Sequence, residues 1–200
     1  MNYLAHIYLS GDDSLLTIGN FMADGIKGKQ YKTYLPQLQK GILLHRSIDS
    51  FTDSHPIVKQ STKRLHSKYS HYSGVIVDIL YDHFLAKNWK NYATTPLSSY
   101  IENFYDSLDE HFELLTPGIQ RMIPHMIADN WLLSYTEISG IATVLYNMNR
   151  RTKNISGMDR AVEDLQLYYY DFENEFTLFF EELRQFCEQR LQELEDQFPV

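Results

Sequence analysis

The chain has 200 residues, 44% of them apolar, a formal net charge of −8 and a single cysteine. That length supports one domain with a sizeable core, and the acidic balance excludes a general nucleic-acid binder, because such domains are basic overall. One cysteine excludes an intramolecular disulfide. No apolar run nears the ~20 residues that span a bilayer and "MNYLAHIYLSGDD" is no signal peptide, so the expected setting is a reducing cytoplasm with no membrane contact.

The pattern is helical almost throughout. A short helix is expected around Asn2–Leu9 and another around Asp13–Asp24, followed by the basic loop "GIKGKQYKTYL". Further helices are expected over roughly Pro36–Thr52, Pro56–Tyr69, Gly74–Trp89, Leu97–Leu115, Gly118–Ser134 and Ile138–Asn149. Proline at positions 36, 56, 96, 117, 124 and 199 falls where helices should begin or break. Strand-like alternation is weak and no Asn-Gly or Asp-Gly hairpin signal appears.

The last helix should start near Ser156 or Met158. Its stripe of Phe172, Phe176, Phe179, Phe180, Leu183, Leu191 and Leu194 follows a 3.6-residue period. Such a stripe usually packs on the body of a domain; a contact between copies is the second option, leaving monomer and homodimer open. No repeat or linker divides the chain. The expected fold is therefore all-α, one compact helical domain over residues 1–200 with a long acidic C-terminal helix. Cys187 is expected to be a passive, half-buried thiol.

Charge is unevenly spread. Gly25 to Lys68 holds nine Lys/Arg and two acids, a balance of +7; Asp159 to Val200 holds twelve acids and three arginines, a balance of −9. The basic third is suited to steer a negatively charged partner or a phosphate, with an ordinary solvated surface as the equal alternative.

Two segments concentrate ionisable groups at one-turn helical spacing. "GILLHRSIDSFTDSHP" carries His45, Asp49 and Asp53, and "IVDILYDHFLAKNW" carries Asp78, Asp82 and His83. Residues four apart share a helix face, and these seams run among apolar neighbours. Carboxylates near a core need partners, and a divalent cation satisfies several at once. Mixed His and carboxylate donors suit Mn²⁺, Fe²⁺ or Zn²⁺, and carboxylate-rich sites tilt towards Mn²⁺ or Mg²⁺. The competing reading has Asp49 paired with Arg46 or Lys63 and Asp82 capping a neighbouring helix. His6 is weighed as a satisfied core histidine, Asp24 as a turn residue, Asp129 as a hydrogen-bonding partner and His55 as a turn residue. No Walker loop, nucleophile elbow or H-E-x-x-H occurs.

Four stretches, "MNYLAHIYLS", "GNFMADGIKG", "GILLHRSIDSFTDSHP" and "YSGVIVDILYDHFLAKNW", resemble the bacterial acyl carrier protein phosphodiesterases in the family's order. A weaker likeness runs through "NWLLSYTEISGIATVLYNMNRR". The resemblance implies an all-α fold similar to HD-type phosphohydrolases. It also implies Mn²⁺-dependent hydrolysis of the diester joining 4′-phosphopantetheine to holo-acyl carrier protein, and matching positions at Asp24, His45, Asp49, Asp78, Asp82 and His83, with His6 in the opening motif. On that basis His45, Asp49, Asp78 and Asp82 are expected to bind metal, with His6 and Asp53 as additional candidates. Asp24 and His83 are expected to handle water and protons, and Lys27, Lys29 and Arg46 to hold the phosphate or the acidic carrier. A metal phosphohydrolase of another small phosphodiester or nucleotide, and a non-enzymatic helical module, are the alternatives.

Overall fold

The computed structural model describes residues 1–198, and among these, helices and short 3-10 turns follow one another with no strand. The α-helices are α1 (Tyr3–Tyr8), α2 (Ser14–Phe21), α3 (Pro36–Ser54), α4 (Pro56–Tyr69), α5 (Ser73–Lys87), α6 (Leu97–Glu110), α7 (Pro117–Ala128), α8 (Trp131–Ser134), α9 (Ile138–Arg151), α10 (Ala161–Leu167) and α11 (Tyr169–Gln197). Proline opens α3, α4 and α7, where a missing N–H costs nothing. The Asp13 carboxylate opens α2 by accepting from the Leu16 N–H at 2.9 Å. His55 does the same for α4 through Nδ1, from the Ile57 N–H at 3.3 Å.

Three boundaries depart from the sequence pattern. The helix expected over Gly118–Ser134 breaks at Asn130, whose φ of 43° is left-handed, a conformation that asparagine tolerates better than most residues. The one expected to Leu115 ends at Glu110 and passes into a 3-10 turn at Phe112–Leu114. The C-terminal helix is three pieces, a 3-10 turn at Met158–Arg160, then α10, then α11, divided at Tyr168. Pro124 lies inside α7 rather than at a boundary, and Pro199 falls outside the described residues.

α11 lies across α3, α4 and α5. Its stripe does face the body of the domain. Phe172, Phe176, Phe179, Phe180, Leu183 and Leu194 are fully buried, each worth roughly 1.5–3 kcal/mol of apolar transfer; Leu191 is half-buried. Cys187 is buried outright, which pushes its thiol up to about 12 and keeps it unreactive. The charges of the two halves meet at this seam. Lys40 Nζ lies 2.6 Å from Glu195 Oε2, Lys68 Nζ 2.6 Å from Asp164 Oδ1, and the Arg64 guanidinium grips both Glu175 oxygens at 2.6 and 2.7 Å. Three of the nine cations of the basic third are thus paired with the chain's own C-terminal acids.

α2 and α3 touch backbone to backbone through two glycines. A β-carbon on Gly41 would collide with the Leu16 carbonyl oxygen and lie 2.6 Å from the Asn20 nitrogen; one on Gly19 would collide with the Leu38 carbonyl oxygen. Only glycine permits this approach. It fixes which α2 residues lie over the turn of α3 that follows.

Candidate metal centre

Gly41 is one helical turn before His45 on α3, and Gly19 directly precedes Asn20 on α2. The close crossing therefore brings Asn20, and Asp24 in the turn after α2, over His45 and Asp49. α1 supplies His6 from the other side. The His6 and His45 rings stack at 4.1 Å between centroids, 20° from parallel. Ligand atoms of His6, His45 and Asp49 all lie within 4.8 Å of one another.

Asn20, fully buried, orients both imidazoles. Its amide nitrogen donates to the His6 carbonyl at 3.0 Å and to Ser10 Oγ at 2.9 Å, and Ser10 Oγ donates to the same carbonyl at 2.8 Å. With the nitrogen committed, Asn20 Oδ1 is left as an acceptor. His6 Nδ1 lies 2.8 Å from it and His45 Nδ1 3.1 Å. Both Nδ1 atoms must carry hydrogen, so both rings aim Nε2 at the acids. This is the arrangement of a metal-binding histidine, whose second nitrogen is held by an outer hydrogen bond.

The acids converge on those Nε2 atoms. His45 Nε2 is 3.0 Å from Asp49 Oδ2 and 3.1 Å from Asp24 Oδ1. His6 Nε2 is 3.3 Å from Asp49 Oδ1, yet it is buried and makes no hydrogen bond. Proximity without hydrogen-bond geometry leaves an imidazole lone pair facing a carboxylate, an electrostatic conflict that a cation between them resolves. Burial pulls the His45 pKa down, but the Asp24 and Asp49 hydrogen bonds outweigh it and raise it to about 9. Burial lowers that of His6. Asp49, although burial opposes it, is held well below the carboxylate range by the adjacent His45 and His6 imidazoles, and Asp24 is lowered by its bond to His45. Two imidazoles and an ionised carboxylate fit a divalent ion such as Mn²⁺, Fe²⁺ or Zn²⁺.

The group forms one wall of a cleft of about 840 Å³, bounded opposite by α8 and α9. Asp53 and Asp78 line the same cleft. The Asp53 carboxyl is raised by burial and by its neighbours Asp78 and Asp49. Asp78 Oδ1 lies 2.9 Å from the Met1 amino nitrogen. Asp129 also borders the cleft, and the Trp131 indole N–H reaches its carboxylate at 3.4 Å.

Of the expected site residues, the structure brings together His6, Asp24, His45 and Asp49. It puts Asp82 and His83 to other uses. Asp82 is completely buried and accepts from the Leu4 and Ala5 N–H groups at 2.7 and 3.2 Å. It thereby caps the first turn of α1, where Asn2 supplies no side-chain cap; burial pushes it up to about 7. His83 Nδ1 donates to the Tyr135 carbonyl at 2.7 Å while its Nε2 accepts from the Tyr169 hydroxyl at 2.8 Å. Both its nitrogens are occupied away from the cleft. The structure thus gives Asp82 and His83 positioning contacts in the fold and leaves neither among the cleft's lining residues, whereas Asp78 lines it.

Lys27 and Lys29 are exposed on the loop after α2, and neither they nor Arg46 lines the cleft. Arg46 instead holds that loop. Its guanidinium donates to the Ile26 and Gly28 carbonyls at 2.8 Å each and sits 5.3 Å from the Tyr31 ring. Asn20 is the site residue that sequence reasoning missed. Its only signal is a buried amide in an apolar helix, one turn before Asp24.

No helix among the described residues is long and apolar enough to cross a membrane. No solved structure matches the chain. Curated relatives named acyl carrier protein phosphodiesterase do. The protein from Photorhabdus laumondii subsp. laumondii is 33% identical over 183 residues, covering 90% of this chain and 91% of its own length. That from Pectobacterium atrosepticum is 32% identical over 188 residues, covering 92% and 96%. The sequence model of that family matches residues 1–183, so the chain belongs to the acyl carrier protein phosphodiesterase family.

Proposed function

We propose that this chain, acting as one domain over residues 1–200 in the cytoplasm, hydrolyses the phosphodiester joining 4′-phosphopantetheine to a serine of holo-acyl carrier protein. The products are apo-acyl carrier protein and free 4′-phosphopantetheine. The observation that carries the reading is the pair of histidines turned by Asn20 so that both Nε2 atoms face Asp49. His6, His45 and Asp49 would hold a divalent cation, Mn²⁺ before Mg²⁺ or Fe²⁺. When bound, such an ion shields phosphate charge and makes water a stronger acid.

The chain's own groups do the rest. Asp24, ionised and open to the cleft, takes the proton of the attacking water. Asp53, one turn beyond Asp49 and with its acidity weakened by burial and by neighbouring acids, gives a proton to the departing serine oxygen. Lys27, Lys29 and Lys32 are exposed on a loop that Arg46 keeps in one conformation beside Asp24, and they offer an acidic carrier a docking face. The likeness to HD-type phosphohydrolases belongs to this reading.

The test is incubation of purified protein, Mn²⁺ and holo-acyl carrier protein, followed by intact mass. The carrier should lose the mass of the phosphopantetheine group, and a chelator should block the loss. An unchanged carrier mass overturns the reading.

A further inference from the structure

The cleft is larger than one phosphate requires. Its volume of about 840 Å³ lies in the range of sites that enclose a whole small molecule, roughly 300–1,000 Å³. Opposite the histidines, α9 presents Thr143, Val144, Asn147, Met148 and Arg151 to it. Positions 144, 147, 148 and 151 fall on one face of a helix, so the wall is a continuous strip. It alternates apolar contacts with an amide and a hydroxyl, and it ends in a guanidinium.

That guanidinium stands apart from the chain's other cations. Among the described residues Arg151 is the sole Lys or Arg side chain lining the cleft. It donates only to the Met148 sulfur at 3.7 Å and pairs with no carboxylate among the described residues. It shares the cleft with Tyr3 and Asp24, which line it together with Arg151. Asp24, Asp49, Asp53, Asp78 and Asp129 all border this cleft. Five carboxylates repel a phosphodiester, and a planar guanidinium fork is the side chain that best matches phosphate oxygens.

Resting on the phosphodiesterase reading, we propose that the α9 wall is the subsite for the linear pantetheine arm, with Arg151 holding a non-bridging phosphate oxygen. The strip's chemistry suits that occupant. Amide groups along the arm meet Asn147 and Thr143, its methylenes and methyls meet Val144 and Met148, and its anionic end meets Arg151.

The test is calorimetric titration of 4′-phosphopantetheine, dephosphorylated pantetheine and inorganic phosphate into the Mn²⁺-loaded protein, alongside turnover of holo-acyl carrier protein. Arg151→Gln should weaken 4′-phosphopantetheine by roughly 10- to 100-fold, the loss of a charge-assisted hydrogen bond, and leave pantetheine unchanged. Arg151→Lys should recover part of the loss. Thr143→Trp, with Asn147→Trp as a second plugging variant, should weaken both pantetheine compounds and spare inorganic phosphate; both positions are exposed, so the fold tolerates them. Both classes should raise KM for the holo-carrier.

Phosphopantetheine binding unchanged in Arg151→Gln, or pantetheine binding unchanged in both plugging variants, overturns the subsite. A wild-type protein that binds neither pantetheine compound also overturns it. If the wild type binds 4′-phosphopantetheine but leaves the holo-carrier intact, the hydrolytic reading falls and the subsite stands. If the holo-carrier turns over and every variant keeps wild-type kinetics, the subsite falls and the hydrolytic reading stands.

Discussion

Asn20 shows how much of the candidate metal site rests on a residue that never carries charge. Its side chain spends both amide hydrogens on the His6 carbonyl and Ser10, and so offers one oxygen to two imidazoles. Replacement by alanine frees both rings and leaves two Nδ1 hydrogens without a buried acceptor. Outer hydrogen bonds of this kind are worth about 10- to 100-fold in metal affinity. Asn20→Ala should therefore bind Mn²⁺ that much more weakly in a calorimetric titration, with helix content unchanged by circular dichroism. The seam of His45 and Asp49 was legible because spacing by four puts two donors on one face whatever the helix packs against. Asp78 and Asp82 have the same spacing and a different outcome. Whether such a carboxylate meets a cation or a helix N-terminus depends on what packs above it, and here the first turn of α1 does. An amide in an apolar helix has no spacing signature, which is why Asn20 stayed hidden.

Helices were easier to read than their joints. The periodicity and the prolines at 36, 56 and 117 located most elements. The break at Asn130 and the division at Tyr168 depend on individual backbone conformations that hydrophobic pattern does not register. The α2–α3 crossing belongs to the same category. Neither Gly19 nor Gly41 follows a turn motif, and each is glycine because a backbone lies where its β-carbon would be. A methyl at position 41 meets the carbonyl of Leu16 and the nitrogen of Asn20, which are main-chain atoms and cannot rotate away. Gly41→Ala should cost about 3 kcal/mol, at the upper end of overpacking penalties. It should also shift Asn20 relative to His45. Chemical denaturation and Mn²⁺ titration of this variant should thus fall together.

At the scale of the whole molecule, the charge asymmetry in the sequence pointed outward, towards a partner. The structure turns a third of the basic segment's cations inward, with Lys40, Arg64 and Lys68 met by Glu195, Glu175 and Asp164. Glu175 tests that arrangement. Burial raises its pKa, but hydrogen bonds from Arg64 and Ser61 more than reverse this, and its folded pKa lies below the ordinary glutamate value. A depressed folded pKa means that the stabilisation is present above the unfolded value and is lost as pH falls through the folded one. Glu175→Gln should therefore be less stable than wild type by about 2 kcal/mol at neutral pH. The gap should close in acid, below the usual glutamate range, when urea unfolding is followed as a function of pH.

The same clamp sets an order of assembly. The ion pairs between α3 or α4 and the C-terminal helices join residues 96, 111 and 155 positions apart in the chain. During synthesis α3 and α4 emerge long before α11, so for that interval Lys40, Arg64 and Lys68 are unmatched beside an uncovered apolar face. Such a nascent species is cationic, sticky and slow to resolve, because contacts this distant close late.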